Sequence, residues 1–401
     1  MNHFDQELTE RLGSLQAQGL HRQLRRVDSP AGTRIQIGGR TLLNFSSNDY
    51  LGLANDPILK AAAIQAVEKF GAGAGASRLI CGSLAPNHEL EEALADFKGA
   101  GAALSFSTGY ATAVGTICAL LGKDDVIILD KLVHACIVDA ARLSGAKIRV
   151  FAHNDLNSLE KILKWADGKS RITRHASRTL IVTESIFSMD GDAAPLRDIV
   201  ALKEKYGAWL MVDEAHATGL YGKHRRGLAE ESGVSGQIEV QMGTLGKAVG
   251  ASGGYICGSH PLIDFLVNRA RSFIFSTAPV PAAAAAAAAG IRFIQSNEGQ
   301  QRCRRLWERV AQCRAGILPA PDRLEAGPAL SAILPVIIGD ETRAVATSAT
   351  LRERDIFVPA IRYPTVARGA ARLRVTVTAT HTTEEINLLA TALNEIVNRK
   401  S

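Results

Sequence analysis

The sequence predicts an α/β protein built on a mostly parallel seven-stranded sheet, followed by a smaller α+β unit. Three observations carry this. From Ala102 to Cys257, short and nearly uninterrupted apolar runs alternate with amphipathic stretches, as expected of strands buried on both faces and joined by helices. Polar residues able to do chemistry fall at or just past the ends of those runs: Tyr110, His134, Ser188, Asp213, His216 and Lys247. Open α/β sheets bind ligands at that edge. Beyond Ala282 the alternation stops. The expected division is an N-terminal helix and hairpin segment over 1–47, a large domain over 48–281 and a small C-terminal domain over 282–401.

Each element has its own signal. Leu8, Leu12, Leu15 and Leu20 recur near helical spacing and predict one amphipathic helix over 1–27. Residues 35–45 alternate around Gly38-Gly39, which predicts a hairpin. Asp56-Pro57 caps and starts a helix reaching about Phe70. The run GAGAGASR at 71–78 follows that helix rather than a strand. It therefore lacks the context of a dinucleotide fingerprint and reads as a loop. A helix over about 87–97 carries Glu89, Glu91 and Glu92 in its first turns, where its dipole favours acids.

Strands are expected at 102–106, 126–130, 147–151, 179–183 and 208–212, with further apolar runs at 238–242 and 255–257. Helices are expected between them at 111–121, 135–144, 156–166 and 195–206. Residues 167–178 form a basic stretch that reads as an insertion. Pro281 opens an alanine tract, and alanine is the best helix former. One long helix is expected there, then a strand at 332–338, a helix at 343–352, strands at 356–359 and 372–378, and a final helix over 383–399.

Composition narrows the function classes. The chain has 401 residues, 46% hydrophobic and 21% charged, ordinary proportions for a soluble globular protein. No run reaches the roughly 18 apolar residues of a membrane span, and the polar N-terminus lacks a signal-peptide core. A cytoplasmic location without membrane association is expected. The six cysteines form no CxxC pair, so neither a metal site nor a disulfide framework is expected. The net charge of +6 is spread along the chain, and its densest clusters are not interleaved with aromatics. That disfavours nucleic acid. A mild basic excess suits a phosphorylated or acidic partner, such as a CoA ester or an acidic carrier protein. The stretch before the hairpin is expected to be too short for a DNA-binding domain.

The chemistry centres on Gly243–Gly250, GTLGKAVG, where Lys247 sits among glycines between two apolar runs. A confined, partly apolar site lowers an amine's pKa and frees it to form an imine. Asp213, at a strand end, suits pairing with a protonated heterocyclic nitrogen. His134 opens a helix and can stack on an aromatic ring. Ser107, Thr108 and Gly109 at a helix start offer N–H groups to a phosphate. Taken singly, Asp213-Glu214 also suits a helix cap, and His134 a satisfied core histidine. Together they describe pyridoxal phosphate.

The chain resembles the α-oxoamine synthase family of fold-type-I pyridoxal-phosphate enzymes. The resemblance runs from about Gly19 to the last helix. It rests on NFSSNDYLGL (44–53), STGY (107–110), TESIFSMDGDAAPL (183–196), VDEAHATGLYG (212–222), GTLGKAVGASGG (243–254) and IRYPTVARGAARLRVTVT (361–378). It implies that Lys247 holds the cofactor covalently and acts as general base, and that Asp213 pairs with the ring nitrogen. It implies that His134 stacks on the ring, that His216 bonds the phenolic oxygen and that Ser188 lies beside the ring. Gly109, Tyr110 and Thr244 match positions near the phosphate, and Thr277 one that reaches a neighbouring subunit's phosphate. Arg374 matches the clamp for the amino-acid carboxylate. Asn48, Thr365 and Arg22 match substrate contacts.

The implied reaction is decarboxylative condensation of L-alanine with pimeloyl-CoA or a pimeloyl carrier protein, carried out by a homodimer. Glycine C-acetyltransferase and 5-aminolevulinate synthase activities are the alternatives within the family. A non-catalytic binding subunit is the alternative outside it, and such a subunit would be expected to lack the lysine. The sequence departs from the family in its GAGAGASRLICG loop and over 341–368. Those departures bear on acyl-chain preference more than on the reaction.

Overall fold

The computed structural model describes residues 2–173, 177–317 and 331–397. Helix α1 (His3–Ala17) leads to the hairpin β1 (Arg34–Ile37) and β2 (Arg40–Asn44). The expected helix over 1–27 is thus ten residues too long. Gly19 adopts φ 66° and Leu20 N–H donates back to Leu15 O at 2.8 Å, ending the helix before Leu20 joins it. Helix α2 (Pro57–Phe70) is capped by the Asp56 carboxylate on Ile58 N, as expected, and α3 (Ala85–Lys98) follows the 71–84 loop.

The large unit then alternates as expected: β3 (Ala102–Phe106), α4 (Gly109–Leu120), β4 (Val126–Asp130), α5 (Ala135–Ser144), β5 (Lys147–Phe151), α6 (Leu156–Thr173), β6 (Thr179–Glu184), α7 (Leu196–Tyr206) and β7 (Trp209–Asp213). A one-turn α8 (Leu228–Glu231) precedes β8 (Val240–Thr244) and β9 (Gly254–Gly258). Helix α6 runs to Thr173, into the stretch expected to be an insertion, of which 174–176 lie outside the described residues. The seven strands lie in the order β3-β9-β8-β7-β6-β4-β5. Strand β9 runs antiparallel to β3 and β8, and the pairs among β8, β7, β6, β4 and β5 are parallel.

One face of this sheet packs on α3, α6, α7 and the alanine-rich helix. The other packs on α4 and α5 and on two helices that the sequence reading missed, α9 (His260–Arg269) and α10 (Arg271–Ile274). Because α4 and α5 each follow a strand directly, their N-termini open at the C-terminal edge of the sheet. The close approach of α4 needs Gly254: a Cβ there would lie 2.8 Å from both N and Cα of Gly109.

The long helix expected after Pro281 is two helices, α11 (Pro281–Gln295) and α12 (Asn297–Ile317). Ser296 is extended, and its hydroxyl accepts from Gly299 N at 3.1 Å, restarting the helix in a new direction. The last unit holds β10 (Ile333–Gly339), α13 (Glu341–Glu353), β11 (Ile356–Phe357), β12 (Ala360–Ile361), β13 (Ala371–Thr376) and α14 (Thr383–Val397). Strands β10, β13 and β12 form one sheet. Strand β11 instead pairs with β2, so the N-terminal hairpin and the C-terminal unit share a sheet. Among the described residues, no helix is long and apolar enough to cross a membrane.

Candidate functional site

Glu184 and Asp213 are register partners at the ends of β6 and β7, and Met242 of β8 lies beside Asp213. Strand alternation turns both carboxylates toward the face covered by α4 and α5. The turn after Asp213 is fixed from several sides. Asp213 Oδ1 accepts from Ala215 N at 2.8 Å. Glu214 is buried and takes Lys98 Nζ at 3.0 Å and Ala229 N at 2.8 Å. The pair Lys98–Glu214 thus anchors the turn without facing the site, and it presents His216 inward.

On the next strand, the loop after Thr244 is closed by Leu245 N to Gly253 O at 3.0 Å and Ala251 N to Leu245 O at 2.8 Å. Lys247 stands at its inner side. Its Nζ is 2.7 Å from His216 Nε2, and His216 Nδ1 is 2.5 Å from the hydroxyl of buried Tyr50. A relay of lysine, imidazole and phenol therefore crosses the site. Burial lowers the Lys247 pKa, against the opposing pull of Asp213 and Glu184. Burial also drives His216 well below the usual histidine range, helped by the charges of Lys247 and Arg374. The imidazole is thus neutral and can accept from one partner while donating to the other.

The carboxylates respond in the opposite sense. Burial raises Asp213, while Lys247 pulls it down. Burial and the neighbouring Asp213 charge push Glu184 up to about 8. Ser188 N donates to Glu184 Oε2 at 3.3 Å, whereas Oε1 is buried without a partner among the described residues.

His134 caps α5, its Nδ1 accepting from Cys136 N at 3.2 Å. Burial lowers its pKa, and the electrostatic influence of Asp213 and Lys247 on it places its ring in the same cluster. Thr108 caps α4, accepting from Ala111 N at 3.0 Å. A Cβ on Gly109 would stand 3.9 Å from Thr244 Oγ1, so the α4 N-terminus abuts the end of β8. Thr244 Oγ1 itself donates to Gly253 O at 3.0 Å. Tyr110 is half exposed, and its hydroxyl donates to Asp139 Oδ2 at 2.9 Å.

Arg374 reaches in from β13. Its Nε donates to Ser188 O at 2.6 Å, and its Nη1 to Asn48 Oδ1 at 3.1 Å and Thr376 Oγ1 at 3.0 Å. The structure thus gathers Lys247, His216, Asp213, His134, Ser188, Asn48 and Arg374, with Gly109, Tyr110 and Thr244 along the α4 end. Arg22 lies in extended chain before β1, and Thr365 in the loop before β13. These two segments meet where Arg362 Nη2 donates to His21 O at 3.4 Å. Thr277 is exposed, bridged to Ser77. Two site residues escaped the sequence reading. Tyr50 lies inside the quoted NFSSNDYLGL motif, and Glu184 ends a buried strand just as Asp213 does.

This donor set fits pyridoxal phosphate. An amine of lowered pKa suits the aldehyde, a buried carboxylate suits the ring nitrogen, and the N-terminus of a helix suits the phosphate. The unpartnered Glu184 Oε1 marks a polar group that the protein alone leaves unsatisfied.

The model of the aminotransferase class I and II family matches residues 40–393. An 8-amino-7-oxononanoate synthase of Anaeromyxobacter sp. (strain Fw109-5) is 47% identical over 96% of this chain and 94% of its own. The structure of a serine palmitoyltransferase from S. paucimobilis, with PLP and myriocin bound, is similar with a TM-score of 0.90 and 30% identity, covering 99% of each chain. That of an 8-amino-7-oxononanoate synthase from Francisella tularensis has a TM-score of 0.74 and 26% identity, over 89% of this chain and 98% of the other. The chain belongs to the class I and II aminotransferase family, and within it to the α-oxoamine synthases, which use pyridoxal phosphate.

Proposed function

We propose that the chain condenses L-alanine with a pimeloyl thioester, yielding 8-amino-7-oxononanoate, carbon dioxide and the free thiol, a step of biotin biosynthesis. One observation carries this reading. The Lys247–His216–Tyr50 relay stands beside Asp213 and Arg374 in a chain 47% identical, nearly end to end, to an 8-amino-7-oxononanoate synthase.

Pyridoxal phosphate, when bound, supplies an aldehyde that takes the amino acid's nitrogen and a ring that accepts electrons from its α-carbon. The residues divide the remaining work. Lys247 Nζ is the amine that would hold the aldehyde, and as a neutral amine it is placed to take the α-proton of the amino acid. His216 holds Lys247 in place on one side and Tyr50 on the other, and its neutral ring is placed to donate to a phenolic oxygen. Asp213 stabilises a proton on the ring nitrogen. His134 would cover a face of the ring, and Ser188 would lie beside it. Gly109, Tyr110 and Thr244 hold the phosphate at the α4 N-terminus. Arg374 binds the carboxylate of alanine with Asn48 beside it, and Arg22 and Thr365 meet the acyl donor, either a CoA or a carrier-protein thioester.

The working unit is a homodimer. Supporting this, Ile80 and Phe275 are 78% and 70% exposed, and the Ser77–Thr277 bridge draws their segments together. Such a surface suits a second copy. A cytoplasmic location completes the reading.

Carbon dioxide release from alanine and from glycine, each with pimeloyl-CoA, tests the substrate. L-Alanine is expected to exceed glycine in kcat/KM by about tenfold or more, the discrimination one methyl group can give. Turnover with glycine alone would overturn the choice of amino acid.

A further inference from the structure

Outside the relay, two aspartates and a histidine form a second, partly buried cluster. His153, just past β5, has Nδ1 2.9 Å from Asp130 Oδ1 and Nε2 2.7 Å from Asp192 Oδ2. Asn154, at φ 54°, repeats the link: its backbone N donates to Asp130 Oδ2 at 2.9 Å, and its Nδ2 to Asp192 Oδ2 at 3.0 Å and Ala193 O at 3.2 Å. Asp130 is buried at the end of β4. Asp192 belongs to the 185–193 loop. That loop is tied by Phe187 N to Asp192 O at 3.0 Å and Gly191 N to Phe187 O at 2.9 Å. The edge of the His153 ring also meets Phe187, with centroids 4.4 Å apart.

The far side of the same loop holds the arginines of β13. Ser188 O accepts from Arg374 Nε at 2.6 Å, and Asp190 accepts from Arg372 Nη1. A continuous set of contacts therefore runs from β4 through His153 and the loop to Arg374. Burial opposes a charge on His153, but the bonds to Asp130 and Asp192 outweigh it and raise its pKa to about 10. Both ring nitrogens lie against carboxylate oxygens, an arrangement that a doubly protonated, cationic ring satisfies. Without that cation, two carboxylates would face each other in a confined space and drive the loop outward.

We propose that His153 is a positioning residue: through Asp192 and the 185–193 loop it sets the place of Arg374, and so the affinity for the amino-acid carboxylate. This rests on the function proposed above in naming L-alanine as the ligand and Arg374 as the residue that binds its carboxylate.

The test uses holoenzyme carrying His153→Gln, with L-alanine binding read from the visible absorbance of the cofactor and pimeloyl-CoA binding read by calorimetry. The expected result is L-alanine bound on the order of tenfold to a hundredfold more weakly, the scale of a misplacement near 1 Å, with pimeloyl-CoA affinity unchanged. The double variant H153Q/D192N removes the facing anions and is expected to recover most of the L-alanine affinity. Unchanged L-alanine binding in H153Q would overturn the proposal. So would an equal loss for both ligands with no recovery in the double variant, which is what a merely structural role gives. Should H153Q fail to fold, His153→Asn, which likewise leaves the two carboxylates facing each other, is read the same way: selective weakening of L-alanine supports the proposal and no change overturns it. If the wild type binds another amino acid instead of L-alanine, the proposed substrate falls, and the positioning role is read with that amino acid.

Discussion

Replacing Lys247 by alanine is expected to leave the cofactor unfixed to the protein on borohydride reduction and to cut condensation by about 10⁴- to 10⁶-fold, the scale seen when a residue of a cooperating catalytic unit is removed. The physical reason lies in the surroundings of Nζ. The amine is 2.7 Å from a neutral imidazole, and burial lowers its pKa. It is therefore available both as a nucleophile and as a base, two tasks no neighbour can take over. His216 is held too far below the usual histidine range to carry a proton away efficiently. The fold is expected to survive, because Lys247 lies in a loop closed by backbone bonds of Leu245, Ala251 and Gly253. Circular dichroism checks that point. A variant whose cofactor is still fixed to the protein by borohydride would remove Lys247 from the covalent role.

Asp213→Asn is expected to lower kcat on the order of 10²- to 10³-fold, the usual cost of losing one charge aimed at a transition state. L-Alanine binding should change little, since Arg374 is untouched. A second consequence follows at Glu184. Its pKa stands at about 8 through burial first and through the Asp213 charge second. Removing that charge takes away the second cause, so Glu184 ionises at lower pH in the variant. The pH profile of the residual rate is expected to shift toward acid. Steady-state kinetics across pH 6–9 checks both effects, and a kcat within a few-fold of wild type would contradict the role given to Asp213.

Much of this site was legible in the sequence because a parallel sheet makes position predictable. Continuous apolar runs located the strands, and the residues after them could only lie along one edge. Asp213, His134, Ser188 and Lys247 were found that way, and the quoted motifs added Asn48 and, from the C-terminal unit, Arg374. Glu184 was missed although it obeys the same rule, because its segment was read for Ser188 and the turn at 189–192. His153 was missed for a deeper reason. Its partners Asp130 and Asp192 lie 23 and 39 residues away, and no local pattern announces two carboxylates converging on one ring.

The fold errors are equally physical. Helix α1 buries none of its residues, so leucine spacing alone gave no account of where it stops, and Gly19 decided it. The alanine tract concealed a break because helix propensity is high on both sides of Ser296. The strand at 356–359 was expected inside the small unit, yet its first two residues pair with β2, a long-range choice set by tertiary packing.

The most direct measurement is the product formed by purified holoenzyme from pimeloyl-CoA and L-alanine labelled with ¹³C at the carboxyl carbon. Mass spectrometry is predicted to find unlabelled 8-amino-7-oxononanoate, with all of the label in carbon dioxide and one thiol released per turnover. A condensed product that keeps the label, or no carbon–carbon bond formation while L-alanine is bound, would contradict a site in which Lys247, Asp213 and Arg374 act together in decarboxylative condensation.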